Sequence, residues 1–134
     1  MVDLSESQSK ELAAAAVAAR ANAYAPFSKF HVGAAILDEQ GRIFTGVNVE
    51  NSSYGLTICA ERTAACTAVT AGAKRFIAVA VATPKAASPC GACRQFLYEF
   101  GPDTTILLVD SDTSKVSQTV SLSDLLPNGF RFDG

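Results

Sequence analysis

The chain has no surplus of basic residues: 11 Lys and Arg stand against 13 Asp and Glu, a formal charge of -2. A protein that grips a polynucleotide does so by neutralising phosphates, so this balance argues against a nucleic-acid partner and for a small substrate. No apolar run approaches the roughly 20 residues needed to cross a bilayer, which excludes membrane insertion. The opening MVDLSESQSKELAAAAVAAR places acids ahead of its alanines and has no basic n-region before a long apolar stretch. It does not read as a signal peptide, and the expected location is cytoplasmic. Histidine and methionine occur once each, and cysteine only four times. In a reducing compartment such cysteines bind metal or stay free rather than pairing.

What is present suits one folded unit. With 134 residues and 49% hydrophobic content, the chain supports one apolar core and is expected to form a single domain, residues 1–134. Ser5 and Gln8 make a capping-box pattern that opens a helix running towards Arg20. After Pro26, Phe30 to Leu37 reads as a strand. The turn Asp38-Glu39-Gln40-Gly41 joins it to a partner over Arg42 to Val47, so the pair predicts a hairpin. Asn48 to Thr57 is loop-like, and an alanine-rich helix follows from about Ile58 to Ala71, stopped by Gly72. Phe76 to Thr83 is a strand, and about Cys90 to Phe100 a helix closed by Gly101. Thr105 to Val109 and Ser114 to Val120 are strands, and Ser121 with Asp124 is placed to cap a short helix ending before Pro127. This alternation predicts a layered α/β domain with a mixed sheet.

The cysteine spacing carries the chemistry. Cys90 and Cys93 form a CxxC at one predicted helix start, while Cys59 sits at another, two residues before Glu61. A helix N-terminus presents free amides and partial positive charge, which favours thiolates. Three thiolate ligands with one open position is a catalytic zinc arrangement, since structural zinc takes four protein ligands. Cys66 lies two turns along the helix, about 10 Å from Cys59, too far to share the ion. It is expected to pack in the core, as are Phe44, Phe76, Phe96 and Phe100. His31 falls inside a predicted strand and is not needed as a ligand. Zinc lowers the pKa of bound water, and Glu61, beside the metal but not bound to it, is placed to accept the released proton.

Cys59-Ala60-Glu61 with Pro89-Cys90-Gly91-Ala92-Cys93 resembles the two-part signature of zinc deaminases that act on nucleobases, in which the glutamate is not a ligand. The likeness extends over nearly the whole chain. Tyr24 to Ser28, Phe30 to Ala35, Gly46 to Asn51, Cys59 to Arg62 and Ser88 to Gln95 resemble the short, homotetrameric cytidine deaminases. That resemblance implies a three-layer α/β/α fold with a five-stranded mixed sheet and one Zn²⁺ per chain. It also implies hydrolysis of cytidine and deoxycytidine to the uridines with release of ammonia, in sites completed by neighbouring subunits. Carried over by motif, Asn48 and Glu50 bind ribose hydroxyls, Phe30 stacks near the base, and Tyr54 closes the sugar end. The Ala60 amide and the Ser88 carbonyl contact the pyrimidine edge. Arg62 hydrogen-bonds the thiolates, and three thiolates on Zn²⁺ carry net charge -1, so a guanidinium there draws electron density back.

The end of the chain departs from that family. Leu125 to Gly134 lacks the usual Ser-Phe-Gly-Pro and resembles the tail of fungal blasticidin S deaminase, a sister family acting on a cytosine-nucleoside antibiotic. Residues 41–49 share that likeness. Glu50, Asn51 and Phe30 follow the cytidine pattern instead, so cytidine is the expected substrate, with Phe130 as a contact offered to a neighbouring subunit. A polynucleotide-editing deaminase would show a basic groove with aromatic platforms. Here the basic residues are scattered. A noncatalytic zinc-stabilised module is the third reading.

Overall fold

A computed structural model describes residues 1–132. Asp133 and Gly134, the end of the tail just discussed, lie outside the described residues. The first helix, α1 (Glu6–Ala19), begins as its capping box dictates: Ser5 Oγ accepts from the Gln8 amide at 3.0 Å and Gln8 Oε1 accepts from the Ser5 amide at 2.9 Å. Strands β1 (Gly33–Asp38) and β2 (Ile43–Val47) form the expected antiparallel hairpin. Asp38 ties its turn, its buried carboxylate accepting from the Gln40 and Arg42 amides and pairing with the Arg42 guanidinium at 2.8 Å. Then follow α2 (Ala60–Thr70), β3 (Phe76–Thr83), α3 (Gly91–Tyr98), β4 (Thr105–Asp110), β5 (Lys115–Ser121) and the single turn α4 (Leu122–Leu125).

The sheet order is β2-β1-β3-β4-β5. All pairings are antiparallel except β3 with β4, which run parallel because α3 makes the crossover between them. Alternation along the central strands feeds two cores. Leu12, Ala13 and Ala16 of α1 cover Ala35, Leu37, Ala78, Ala80 and Leu107 on one face. On the other, Ala60, Ala64, Ala65 and Ala68 of α2, with Leu97 of α3, cover Ala34, Ile36, Val79, Val81 and Ile106. The result is the three-layer α/β/α arrangement with a mixed five-stranded sheet.

Two glycines set how closely the helices approach. A Cβ on Gly33 would lie 2.0 Å from the Ala16 carbonyl oxygen, and one on Gly46 would lie 2.2 Å from the Ala64 amide nitrogen. Neither position admits a side chain. Helix α2 ends in a Schellman motif, with the Ala73 amide reaching the Ala68 carbonyl, the Gly72 amide reaching Val69, and Gly72 at φ +97°. No helix among the described residues is long and apolar enough to cross a membrane.

Four expectations are corrected. Strand β1 starts at Gly33, not Phe30, because the side chain of Asn48 takes up the Phe30 carbonyl at 2.7 Å and the Val32 amide at 2.9 Å, and those groups need no partner strand. His31 therefore lies on the approach to β1. Ser121 makes no side-chain cap on α4; its hydroxyl pairs with that of Ser123. Cys66 is exposed, since α2 buries the stripe through Ala60, Ala64 and Ala68 and turns Cys66 away from it. Phe96 is also exposed, unlike Phe76, which stacks on Phe100 with centroids 4.6 Å apart and interplanar angle 26°.

Candidate metal and catalytic centre

Helices α2 and α3 pack together on one face of the sheet, and their N-terminal ends carry the cysteines. Cys59 is the N-cap of α2 and Cys90 the N-cap of α3, both in extended conformation. An N-cap residue ordinarily spends its side chain on the helix amides. Neither thiol does so, which leaves both sulfurs free to turn inwards. Cys93, one turn into α3, is buried. The three sulfurs all lie within 4.8 Å of one another, and those of Cys59 and Cys90 are 4.0 Å apart. Sulfurs on a tetrahedral zinc with bonds of about 2.3 Å stand about 3.8 Å apart, so a small contraction seats the ion. The all-thiolate set of three fits zinc with one position left open.

The electrostatics favour a cation. Contact with the Cys93 thiol lowers the Cys59 pKa to about 5, and the Arg62 guanidinium, whose Nη2 donates to its sulfur at 3.4 Å, adds to the effect. Cys93 moves the other way, held as the protonated donor by Cys59 and by burial. Arg62 in turn is held firmly cationic by the same sulfurs. Glu61, 4% exposed in the first turn of α2, has its carboxyl pushed up by burial and by the neighbouring Cys59 sulfur. A carboxyl in this setting holds a proton more readily than a solvated one does.

The remaining expected site residues divide between buried and open positions. Ala60, fully buried, is the first residue of α2, where the helix leaves amides without intrahelical partners. Ser88 sits exposed in the loop before Cys90. Asn48 is buried with its side chain committed to the 30–32 backbone, leaving one Nδ2 hydrogen for a ligand. The Glu50 carboxylate accepts from the Phe27 amide at 3.0 Å, the Ser28 amide at 3.2 Å and the Ser28 hydroxyl. The Ser28 hydroxyl, ahead of the two amides, holds the Glu50 pKa below the ordinary carboxylate range. Ser28 closes the Tyr24 to Ser28 run and was not among the expected site residues. Its hydroxyl also accepts from the Phe30 amide at 3.0 Å and so joins two of the expected substrate residues.

Phe30 is partly exposed, and Tyr54, in a short 3₁₀ turn (Tyr54–Leu56), is 81% exposed with its ring edge-on to Phe27 at 6.4 Å. A recess of about 330 Å³ lies between Phe27, Ser28, Glu50, Asn51, Tyr54 and Thr57; its lining does not include the cysteines. Phe130, 65% exposed, is tethered through its carbonyl to Gln95 Nε2 at 3.1 Å.

Residues 6–109 match the family model described as the cytidine and deoxycytidylate deaminase zinc-binding region. The chain is 52% identical over 111 residues to a probable cytidine deaminase of Dictyostelium discoideum, covering 81% of this chain and 74% of that protein. It is 44% identical over 117 residues to the cytidine deaminase of Halalkalibacterium halodurans, covering 86% and 88% respectively. The crystal structure of cytidine deaminase from Burkholderia pseudomallei superposes with a TM-score of 0.85 at 43% identity, over 95% of this chain and all of that one.

Proposed function

The chain belongs to the cytidine and deoxycytidylate deaminase zinc-binding family, and we propose that it is a cytidine deaminase, hydrolysing cytidine and deoxycytidine to the uridines with release of ammonia. The observation that carries this reading is the union of three thiols from two helix N-termini with a buried carboxyl two residues from one of them. The relatives described above are named cytidine deaminase or, in one case, probable cytidine deaminase, which favours cytidine over the blasticidin S suggested by the tail.

Cys59, Cys90 and Cys93 would hold Zn²⁺, which supplies the Lewis acidity that makes water a nucleophile at neutral pH. With that chemistry supplied, Glu61 would accept a proton from the attacking water and pass it to N3 of the pyrimidine as the water oxygen bonds to C4. It would then take a second proton from the new C4 hydroxyl and carry it to the departing amine as the C4–N bond breaks and the C4 carbonyl forms. Cytidine and water thus become uridine and ammonia with no other reactant. Arg62 draws charge from the thiolates and keeps the centre acidic. The Ala60 amide and the Ser88 carbonyl hold the pyrimidine edge, Phe30 offers its free ring face to the base, and Asn48 and Glu50 take the ribose hydroxyls.

The exposure of Tyr54 and Phe130 supports a homotetramer in which each site is completed by neighbouring copies, with Tyr54 closing the sugar end and Phe130 reaching an adjacent site. The cellular role in this reading is pyrimidine salvage in the cytoplasm. The decisive experiment supplies the zinc-loaded protein with cytidine, a cytosine-containing oligonucleotide or blasticidin S and follows ammonia. Turnover of cytidine alone is expected. Preference for the antibiotic would replace the substrate, and zinc binding without turnover of any would leave a zinc-stabilised module. Light scattering should find a tetramer, and an active monomer would refute site sharing.

A further inference from the structure

The loop that delivers Cys90 is fastened at its start by the Ala86 and Ala87 amides, which donate to the Thr83 carbonyl and hydroxyl, and its Ser88–Pro89 end is held by Arg94. Pro89 has no amide hydrogen to donate, so its carbonyl is the backbone group available to hold it. Arg94, half-buried in α3, supplies three bonds across this region. Its Nε donates to the Pro89 carbonyl at 2.8 Å, its Nη2 to the Ser88 hydroxyl at 2.8 Å, and its Nη1 to the Leu125 carbonyl at 2.7 Å. Leu125 closes α4, where a helix leaves carbonyls without intrahelical partners, so this contact satisfies an orphan acceptor. Next to it, Gln95 holds the Phe130 carbonyl, so consecutive residues of α3 bind the C-terminal segment at two points.

We infer that Arg94 is a positioning residue whose planar guanidinium fastens the Ser88–Pro89 turn, and through it Cys90, to the end of α4. The inference rests on the zinc deaminase reading above for the roles of Cys90 and Ser88. Arg94 touches neither metal nor substrate in this account. It sets the direction from which the Cys90 sulfur and the Ser88 carbonyl enter the site, and it couples both to the departing tail. Three acceptors in divergent directions require the rigid fork of arginine; a lysine ammonium on its flexible stem cannot meet all three.

The test uses the full-length zinc-loaded chain with Arg94→Lys. Expected are zinc transfer to a chromophoric chelator about tenfold faster or more, the lower end of what residues supporting metal ligands control, and shifted absorption bands in the Co(II)-substituted protein. Faster proteolytic trimming of residues 126–132 and a rise in KM for cytidine larger than the fall in kcat should accompany them. A merely structural role would lower Tm and leave the cobalt bands in place. Wild-type zinc release, cobalt bands and KM in Arg94→Lys overturn the inference. If that variant does not fold, Ser88→Ala removes one of the three bonds: faster zinc release supports the inference and an unchanged rate overturns it. A wild-type chain that holds zinc yet releases no ammonia from cytidine overturns the substrate reading alone, because zinc release and cobalt spectra are measured without turnover.

Discussion

The two halves of the site are built differently. At the thiol end, Ala60, Glu61 and Cys93 are buried, and their positions follow from two helix starts seated against one sheet face. At the end proposed for the sugar, Phe30, Glu50 and Tyr54 stand on irregular segments, Phe30 and Glu50 held by side-chain bonds from Asn48 and Ser28, with Tyr54 and Phe130 largely in solvent. The three thiols of the first half come from one chain, whereas the aromatic rings of the second stand largely exposed. Chemistry that needs a fixed dielectric and a fixed proton donor is placed where packing is dense. The recognition proposed for the sugar falls where side chains remain exposed.

The largest effects should come from the buried half. Replacing Cys59, Cys90 or Cys93 by Ala is expected to remove zinc and abolish turnover, while Cys66→Ala keeps one zinc per chain; metal analysis beside the ammonia assay tests the contrast. Glu61→Gln preserves shape but not proton transfer, so zinc should stay and kcat fall by about 10²-fold or more. Retention of a tenth of the activity would remove Glu61 from its role.

A smaller and different loss is expected at the open half. Glu50→Ala should lower kcat/KM for cytidine by roughly 10- to 100-fold, the range for a lost hydrogen bond to a charged group, with zinc content unchanged. Free cytosine, which has no sugar, should lose little beyond its already poor rate. Equal losses for nucleoside and base would mean that Glu50 supports the fold around Ser28 rather than the sugar.

The mildest probe is the pH dependence of the metal-free thiols. Since the folded chain lowers Cys59 to about 5, its thiolate form persists as pH falls to that value and is lost below it. Iodoacetamide should therefore label Cys59 at a rate that is flat above about pH 6 and declines towards pH 4. In Arg62→Gln the decline should begin at higher pH, because one of the groups that lowers Cys59 is gone. A midpoint near 8 in the unaltered chain would mean that the three-thiol cluster does not assemble without metal.

Local signals account for how much could be read from the chain in advance. The capping box of α1, the hairpin turn at Asp38 to Gly41, the Gly72 stop and the CxxC at a helix start each involve residues within a few positions of one another, so their geometry follows from spacing. The same locality made Cys59 and Glu61 recognisable as neighbours at the head of α2. Burial of single side chains was harder to foresee. Cys66 and Phe96 are apolar residues on helices, and only the angle at which each helix meets the sheet turned them outwards.

By itself, then, the sequence determined the order of elements, the three thiols and the carboxyl two residues from one of them, because helix periodicity and ligand chemistry operate over short spans. Tertiary structure alone decided that Asn48 would hold residues 30–32 outside β1, that Ser28 would grip Glu50 22 residues away, and that Arg94 would reach Leu125 across 31. Those bonds join segments whose separation along the chain carries no signal. They form because closing the fold strands backbone acceptors and carboxylates that must find a donor, and the nearest donor in space is far away in sequence.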